Sequence, residues 1–491
     1  MGDEGSDSGR AGRDKSAGGR GPASGGAANA GGGATNAGGG AANVGGEAEV
    51  GGARNVDGSG GDGDARALAE VRQFVALPRD VLVLSLAMLA FSLAFQMTSR
   101  FVPEYMRLLG AGPLAVGVFK SLQDLVGAAY PYPGGRVSDA IGSRDALTLF
   151  GVVSTVGFGV WFLAPDLAFA VGPVAVPAWA WILVGLFLTQ AWKSLGLGAT
   201  FAVVKQSVAP EHLAAGFAST ETFRRTGFLL APVVATVVLV LTAGFVWGFQ
   251  VMLLVAIAAG LVATGLQHVF YEPEAGAGGV GASFEGLATV REDLRDLPDP
   301  LRPLLLGDAL VRFGNGMIYA LVIWIITDVQ GVGATLLGID LAPAAFFGVL
   351  LAVEMVVALV SMYPAARLAE RTGLKPVVGL GFAVYAVFPL ALVLAPPDPL
   401  VLGLVFAVSG LRFAGLPAHK ALIVGPAEAG GGGRVTGTYY LLRNAVVIPS
   451  GVVGGALYGV SPTLAFGAAT GVGLVGTALF LAFGEEFAAY R

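Results

Sequence analysis

The chain has 491 residues, of which 55% are hydrophobic and only 13% charged, and its mean hydropathy is +0.73. Soluble domains carry about 25% charged residues, so a water-soluble globular protein is excluded, and the net charge of −5 gives no basis for a nucleic-acid partner. The lack of cysteine rules out disulfides, thiolate metal sites, iron–sulfur clusters and cysteine nucleophiles, while His212, His268 and His419 lie too far apart for metal-ligand spacing.

Residues 1–66 form a low-complexity Gly/Ala-rich tail with scattered charges. Such a segment buries too little apolar surface to offset its conformational entropy, so it is expected to be disordered. It lacks the apolar stretch of a signal peptide. Apolar stretches of about 20 residues, each enough to span a bilayer, then recur. Open sheets cannot exist in hydrocarbon, so these stretches predict helices. They fall at 80–100, 113–133, 145–165, 180–205, 214–241 and 246–268, then at 303–327, 343–364, 376–396, 400–423, 435–456 and 461–483. The expected fold class is all-α integral membrane: twelve transmembrane helices as two pseudo-symmetric six-helix bundles at 67–268 and 303–491. A polar connector at 269–302 tethers them, and its stretch 284–297 has the pattern of an amphipathic surface helix.

Basic residues sort the loops. One side carries Arg136, Arg144, Lys205, Arg291, Arg295, Arg302, Arg367, Arg371, Lys375 and Arg434; the other has only Arg100 and Arg107, by the first external loop. By the positive-inside rule both termini face the cytoplasm of a multi-pass plasma-membrane protein.

A pattern in the loop after helix 2 is written twice. Tyr132-Pro133-Gly134-Gly135-Arg136 through Asp139, Gly142 and Arg144 returns as Tyr363-Pro364-Ala365-Ala366-Arg367 through Glu370, Gly373 and Lys375. The offset is a constant 231 residues (Tyr132 to Tyr363, Arg144 to Lys375), and Gly117 and Gly348 keep it. The halves therefore share one architecture. Gly142 and Gly373 suit a tight helix exit, Asp139 can cap or pair near a helix end, and Arg136 and Arg144 can reach a neighbouring helix or a lipid phosphate. Topology-fixing charge is the plainer reading of this cluster.

Gly135, Asp139, Gly142 and Arg144 spell G-x-x-x-D-x-x-G-x-R, which resembles the loop signature of the major facilitator superfamily. The resemblance spans about residues 80–485 and implies two bundles that rock about a central site. It also implies that the two loop copies form a cytoplasmic gate latch in the outward-facing state. In helix 5, Gly227, Ala231, Pro232 and Ala235 resemble that family's antiporter motif, with alanine at two glycine positions. Small residues there allow close helix approach and the proline a bend, and a plain proline kink is the alternative.

Charges inside spans cost about 2.5–3.5 kcal/mol each on insertion scales and usually face a polar cavity. Asp124, Glu354, Lys193, Arg224, Arg225, Arg312, Arg412 and Arg443 all lie well inside predicted spans. Lys193 and Arg412 share an offset of 219 with Arg224 and Arg443 (193 to 412, 224 to 443). Lys120 with Asp124, and Asp308 with Arg312, have the four-residue spacing of intrahelical pairs. Glu354 has no such partner. Glu354 and Asp124 are therefore the proton-coupling candidates, and Lys193, Arg224, Arg412 and Arg443 the substrate-cavity candidates. The set leans basic, which favours anionic or zwitterionic solutes.

Gly471, Gly473 and Gly476 match a dinucleotide-binding spacing, but inside helix 12, where they read as packing; Gly430–Arg434 lacks the Lys-Ser/Thr of a phosphate loop. The expected function is not enzymatic: a monomeric secondary transporter in the lipid bilayer, without cofactor, moving a small molecule with protons by alternating access. Efflux is the expected direction, from the helix 5 motif. Symport of an organic anion is the alternative, and a non-transporting membrane sensor or scaffold is the alternative of another class.

Overall fold

The structure, a computed structural model, describes residues 78–171, 174–208, 213–272, 298–424 and 432–486. The tail at 1–66, His212, the predicted surface helix at 284–297 with Arg291 and Arg295, and the side chain of Arg434 lie outside the described residues.

The first half runs α1 (Arg79–Ser99), the short α2 (Val102–Leu108), α3 (Pro113–Ala129), α4 (Pro131–Ile141), α5 (Ser143–Leu163) and α6 (Ala178–Thr189). A π-helical turn (Ala191–Leu195) leads into α7 (Leu197–Ser207), followed by α8 (Leu213–Leu241) and α9 (Phe245–Phe270). The second half begins with α10 (Leu301–Ile318), a helical turn (Val322–Trp324) and a π-helical turn (Ile325–Val329). Then come α11 (Pro343–Thr372), α12 (Leu374–Leu394), α13 (Pro399–Gly410), a 3-10 turn (Leu411–Phe413), α14 (Leu416–Val424), α15 (Gly432–Val447), α16 (Ser450–Val460) and α17 (Pro462–Phe483). Prolines start α3, α11, α13 and α17, where a missing N–H costs nothing. Asp398 caps α13, accepting from the backbone N–H groups of Leu400 (2.9 Å) and Val401 (3.0 Å).

Among the described residues, ten helices are long and apolar enough to cross a membrane. The pair Leu301–Ile318 and Val322–Val329, bent by 48°, makes eleven if counted as one span. The helix expected at 113–133 forms and runs on to Ile141. α3 ends at Ala129 and α4 begins at Pro131, but Tyr130 between them keeps helical dihedrals (φ −68°, ψ −34°), with its N–H donating to the Val126 carbonyl and its own carbonyl accepting from Gly134. The break thus amounts to the hydrogen bond that Pro131 cannot make. Pro131 has no twin in the second half, where Met362 holds the matching position, and there α11 runs on through Pro364 to Thr372. A proline inside a helix removes one hydrogen bond and crowds the preceding turn; here the extra one coincides with the break. Nor is the chain wholly helical. Two antiparallel hairpins, β1 (Phe169–Val171) with β2 (Val174–Val176) and β3 (Ala334–Leu336) with β4 (Ile339–Leu341), lie in loops between spans.

Polarity is distributed opposite to that of a soluble protein. Val360, Leu404, Val262 and Leu241 are exposed, whereas Lys120, Asp124, Asp308, Glu354, Arg412 and Arg443 are buried. This arrangement suits hydrocarbon outside and paired charge inside. Aromatic rings fill the first half: Phe91 stacks on Trp192 (4.2 Å), and Phe158 meets Trp161 edge to face (5.9 Å). Phe382 and Phe480 (5.2 Å) do the same in the second half.

The halves meet along two seams, α3 against α16 and α8 against α11. Gly117 and Gly348, the repeated glycines, occupy one seam each. A Cβ on Gly117 would run into the carbonyl of Gly451, and one on Gly348 into the Thr236 hydroxyl. Repetition in sequence thus becomes repetition of helix crossings between the halves.

Candidate functional site

The two motif loops have matching backbones. Gly142 sits at φ 85° and Gly373 at φ 91°, the left-handed region that glycine enters without strain. Their side chains do not meet across the halves. Arg136, Asp139, Arg367 and Glu370 are exposed, and Arg367 lies 4.6 Å over the Tyr363 ring. The latch that the resemblance implied is not made in this structure. Gly135 packs near Gly198, and Arg144 lines a small cavity with Asp80 and Tyr271. At the second loop, Glu486 accepts hydrogen bonds from the backbone N–H groups of Leu374 (2.9 Å) and Lys375 (2.8 Å).

The opposite end is closed. Glu104, buried on α2, accepts from Arg107 Nε (2.9 Å) and Nη2 (2.7 Å) and, across the halves, from Thr327 Oγ1 (2.9 Å). Arg107 Nη1 reaches Asp328 (3.0 Å), and Trp324 Nε1 donates to the Pro103 carbonyl (3.0 Å). The Glu104 carboxylate, hydrogen-bonded to Arg107, holds that guanidinium's pKa above its usual value. Thr327 and Asp328 belong to a π-helical turn, a distortion that often marks function. Arg100 lies in the turn between α1 and α2 and is buried; its guanidinium lies 4.3 Å from the Tyr319 ring and 5.8 Å from Phe347, both in the other half.

Between the ends lies the charged interior. On α3, Lys120 and Asp124 form a fully buried ion pair, one turn apart, and Asp124 Oδ1 has no hydrogen-bond partner. Arg224 and Arg225 both pair with Glu221 on α8, at 2.7 and 3.1 Å. Sequence reasoning passed over Glu221, although its three- and four-residue spacing was visible. Lys193 Nζ lies 5.7 Å from the Phe95 ring.

In the second half, Glu354 finds its partner outside its own helix. It forms a buried ion pair with Arg412 from a neighbouring span and accepts a hydrogen bond from Ser409 (2.6 Å). The Arg412 guanidinium also lies over Phe413 (4.7 Å), Tyr385 (5.0 Å) and Phe388 (5.2 Å). A second network centres on Asp308, which receives Arg312 (2.8 Å), Tyr439 (3.2 Å) and Arg443 (3.4 Å). His419, which sequence reasoning considered only as a metal ligand, lies buried 3.4 Å from Asp308. A cavity lined by Asp308, Arg312, Tyr385, Arg412 and His419 joins the two networks.

The pseudo-equivalent bases share a further property. Lys193 sits in the π-helical turn before α7, and Arg412 in the 3-10 turn before α14. Each base therefore stands at an irregularity in its span. In the helix 5 motif, Gly227 abuts the backbone of α1 at Leu89 and Leu93, and Ala231 and Ala235 are fully buried. Pro232 is accommodated inside α8, and its carbonyl accepts from Thr236 (2.9 Å).

No protein-family model and no curated protein matches the sequence. Solved structures do match. The nucleoside transporter NupG aligns at a TM-score of 0.62 and 12% identity, covering 82% of this chain and 98% of that one. A POT family transporter in complex with 5-aminolevulinic acid aligns at 0.61 and 15%, covering 83% and 96%. A D-xylose-proton symporter aligns at 0.57 and 14%, covering 84% and 98%. With its duplicated loops, its interior charges and this likeness, the chain has the fold of the major facilitator superfamily transporters.

Proposed function

We propose that the chain is a secondary active transporter that couples a small solute to protons by alternating access. In this reading the spans number twelve, six in 67–268 and six in 303–491 around the connector 269–302, with α3 as the second. The protein works as a monomer in the plasma membrane, with both termini cytoplasmic, and needs no cofactor. The motif loops then lie on the cytoplasmic side and the Glu104–Arg107–Asp328 network on the outside. The state described is closed outward.

The observation that carries the reading is the buried Glu354–Arg412 pair beside a cavity. An ionised Glu354 occupies Arg412. A protonated one leaves a buried cation that needs another anion. Proton and anion binding therefore favour each other, which is the thermodynamic linkage of a symporter. This supports co-transport of a proton with an anionic or zwitterionic solute; the D-xylose-proton symporter among the structural matches bears on the proton coupling alone, since its sugar is neutral. Proton-driven efflux is the second reading, resting on the small-residue packing of Gly227, Ala231 and Ala235 around Pro232. Asp124, with one carboxylate oxygen unsatisfied, is the second proton-coupling candidate. Lys193, Arg224, Arg412 and Arg443 remain the substrate-binding candidates, and of these Arg412 lines the cavity.

The test uses the purified chain in proteoliposomes, with a solute found by a thermal-shift screen. An imposed pH gradient should drive accumulation in the wild type. Glu354→Gln should lose that accumulation while still exchanging labelled for unlabelled solute. Proton-driven accumulation that survives the substitution sinks the assignment, and accumulation against an opposite gradient turns symport into efflux.

A further inference from the structure

Arg412 and His419 stand on one span, and the step from 412 to 419 brings a helix back to the same face after two turns. Both line the cavity that α10, α12 and their own span enclose, and both are deeply buried, at 5% and 4% exposure. Each brings to its wall one nitrogen that, among the described residues, has no hydrogen-bond partner: Nε of Arg412 and Nε2 of His419. Arg412 meets Glu354 through Nη2, so Nε is a part of its fork left over. The His419 ring is held between Phe382 (5.6 Å) and Tyr439 (6.3 Å), edge to face with each. That leaves Nε2 3.4 Å from Asp308 Oδ2 but outside hydrogen-bonding geometry. A nitrogen so close to a carboxylate oxygen carries the proton, because two lone pairs there would repel. The cavity wall therefore holds two buried N–H donors in search of an acceptor.

Charge points the same way. Asp308 Oδ1 is taken by Arg312 (2.8 Å), and Oδ2 by Tyr439 (3.2 Å) and Arg443 (3.4 Å). Glu354 is taken by Arg412 and Ser409. Three guanidinium groups (Arg312, Arg412, Arg443) set against two carboxylates (Asp308, Glu354) leave one positive charge over, with His419 counted as neutral. Such an excess is costly in the interior until an anion matches it. A water molecule would accept from both donors but bring two O–H donors of its own, and the carboxylate on the wall already serves three groups. A monoatomic anion only accepts, and the cavity is too narrow for an organic one.

We infer that this cavity is a site for a single halide ion, chloride under ordinary conditions, bound between Arg412 Nε and His419 Nε2. The ion balances the charge of the second half's interior and ties the Glu354–Arg412 pair to the Asp308 network, so it stabilises that half. The inference goes beyond the transporter reading and needs no transported solute.

The experiment follows the unfolding temperature of the purified full chain in detergent, with sodium chloride or bromide titrated against sodium gluconate at constant ionic strength. Chloride and bromide should raise it along a saturating curve, as a ligand of the folded state does; gluconate, too large for the cavity, should not. Arg412→Lys keeps a cation opposite Glu354 but removes the Nε–H, and His419→Leu removes the imidazole. Each should raise the half-saturating chloride concentration by about tenfold or more, as expected for a lost hydrogen bond to a charged group. A wild-type crystal grown in bromide fixes the position without relying on either variant: its anomalous peak should lie between Arg412 Nε and His419 Nε2. No saturable halide effect in the wild type, an unchanged effect in both variants, or water alone between the two nitrogens in bromide overturns the inference. A halide site found there in a protein that couples no solute to protons upholds it and removes the transporter reading alone.

Discussion

Lys120 and Asp124 show at single-residue scale what the interior tolerates. The pair is fully buried on successive turns of α3. Removing one partner leaves an uncompensated charge, which costs about 3–5 kcal/mol, whereas replacing both by apolar groups is often neutral. Lys120→Met should therefore lower the unfolding temperature in detergent markedly, and Lys120→Met with Asp124→Leu should regain most of the loss. Equal instability of the single and double variants would mean that the pair contributes shape rather than charge matching. This pair and Asp308–Arg312 were legible in the sequence because a four-residue spacing is a local property of one helix. The sequence shows no intrahelical partner for Glu354, and it does not say which base it meets: Arg412 comes from another span, and only tertiary packing brings the two together. His419 beside Asp308 was hidden in the same way.

At the scale of elements, most of the expected spans coincide with membrane-capable helices, though the one expected at 343–364 runs on to Thr372, and the irregularities inside spans were not foreseen. A hydropathy window averages over a whole crossing, so it passes over the π-helical turns at Ala191–Leu195 and Ile325–Val329 and the bend after Ile318. The break before Pro131 was readable, since the repeat supplies Met362 as its contrast. The glycine seams give a test. Gly117→Ala places a methyl against the Gly451 carbonyl, and overpacking of this kind costs about 1–3 kcal/mol. The α3–α16 seam should loosen. The chain has no cysteine, and Val332 is buried just after the Ile325–Val329 turn, its N–H donating to the Ile326 carbonyl, so a Val332→Cys reporter gives a clean readout: its reaction with a membrane-impermeant maleimide should speed several-fold in Gly117→Ala. Unchanged labelling would show that α16 shifts to accept the methyl.

At the scale of the whole molecule, closure at one end depends on a few hydrogen bonds between the halves. Glu104 is the centre of this network, buried and accepting from both Arg107 and Thr327. A hydrogen bond to a charged group contributes about 1.5–3 kcal/mol. Glu104→Gln should thus shift the population toward opening on that side, by roughly tenfold or more, read as faster labelling of the same Val332→Cys reporter. Because Arg107's pKa is raised, its contribution is complete below the ordinary arginine value and fades only as pH climbs beyond that. Labelling should therefore show no dependence on Arg107 titration across the physiological range; a transition there would have to come from another group.

The unequal fate of the two motif copies has a mechanical consequence. In the first half, Pro131 removes one backbone hydrogen bond between the segment bearing Asp124 and the turns bearing Arg136 and Asp139. In the second half, α11 is one 30-residue rod, about 45 Å long at 1.5 Å per residue, with Arg367 and Glu370 near one tip and Glu354 partway along. Pro364 also removes a hydrogen bond between that tip and Glu354. Duplication thus left both arms with a weakened turn at the repeated proline, and the first arm with a further one at Pro131.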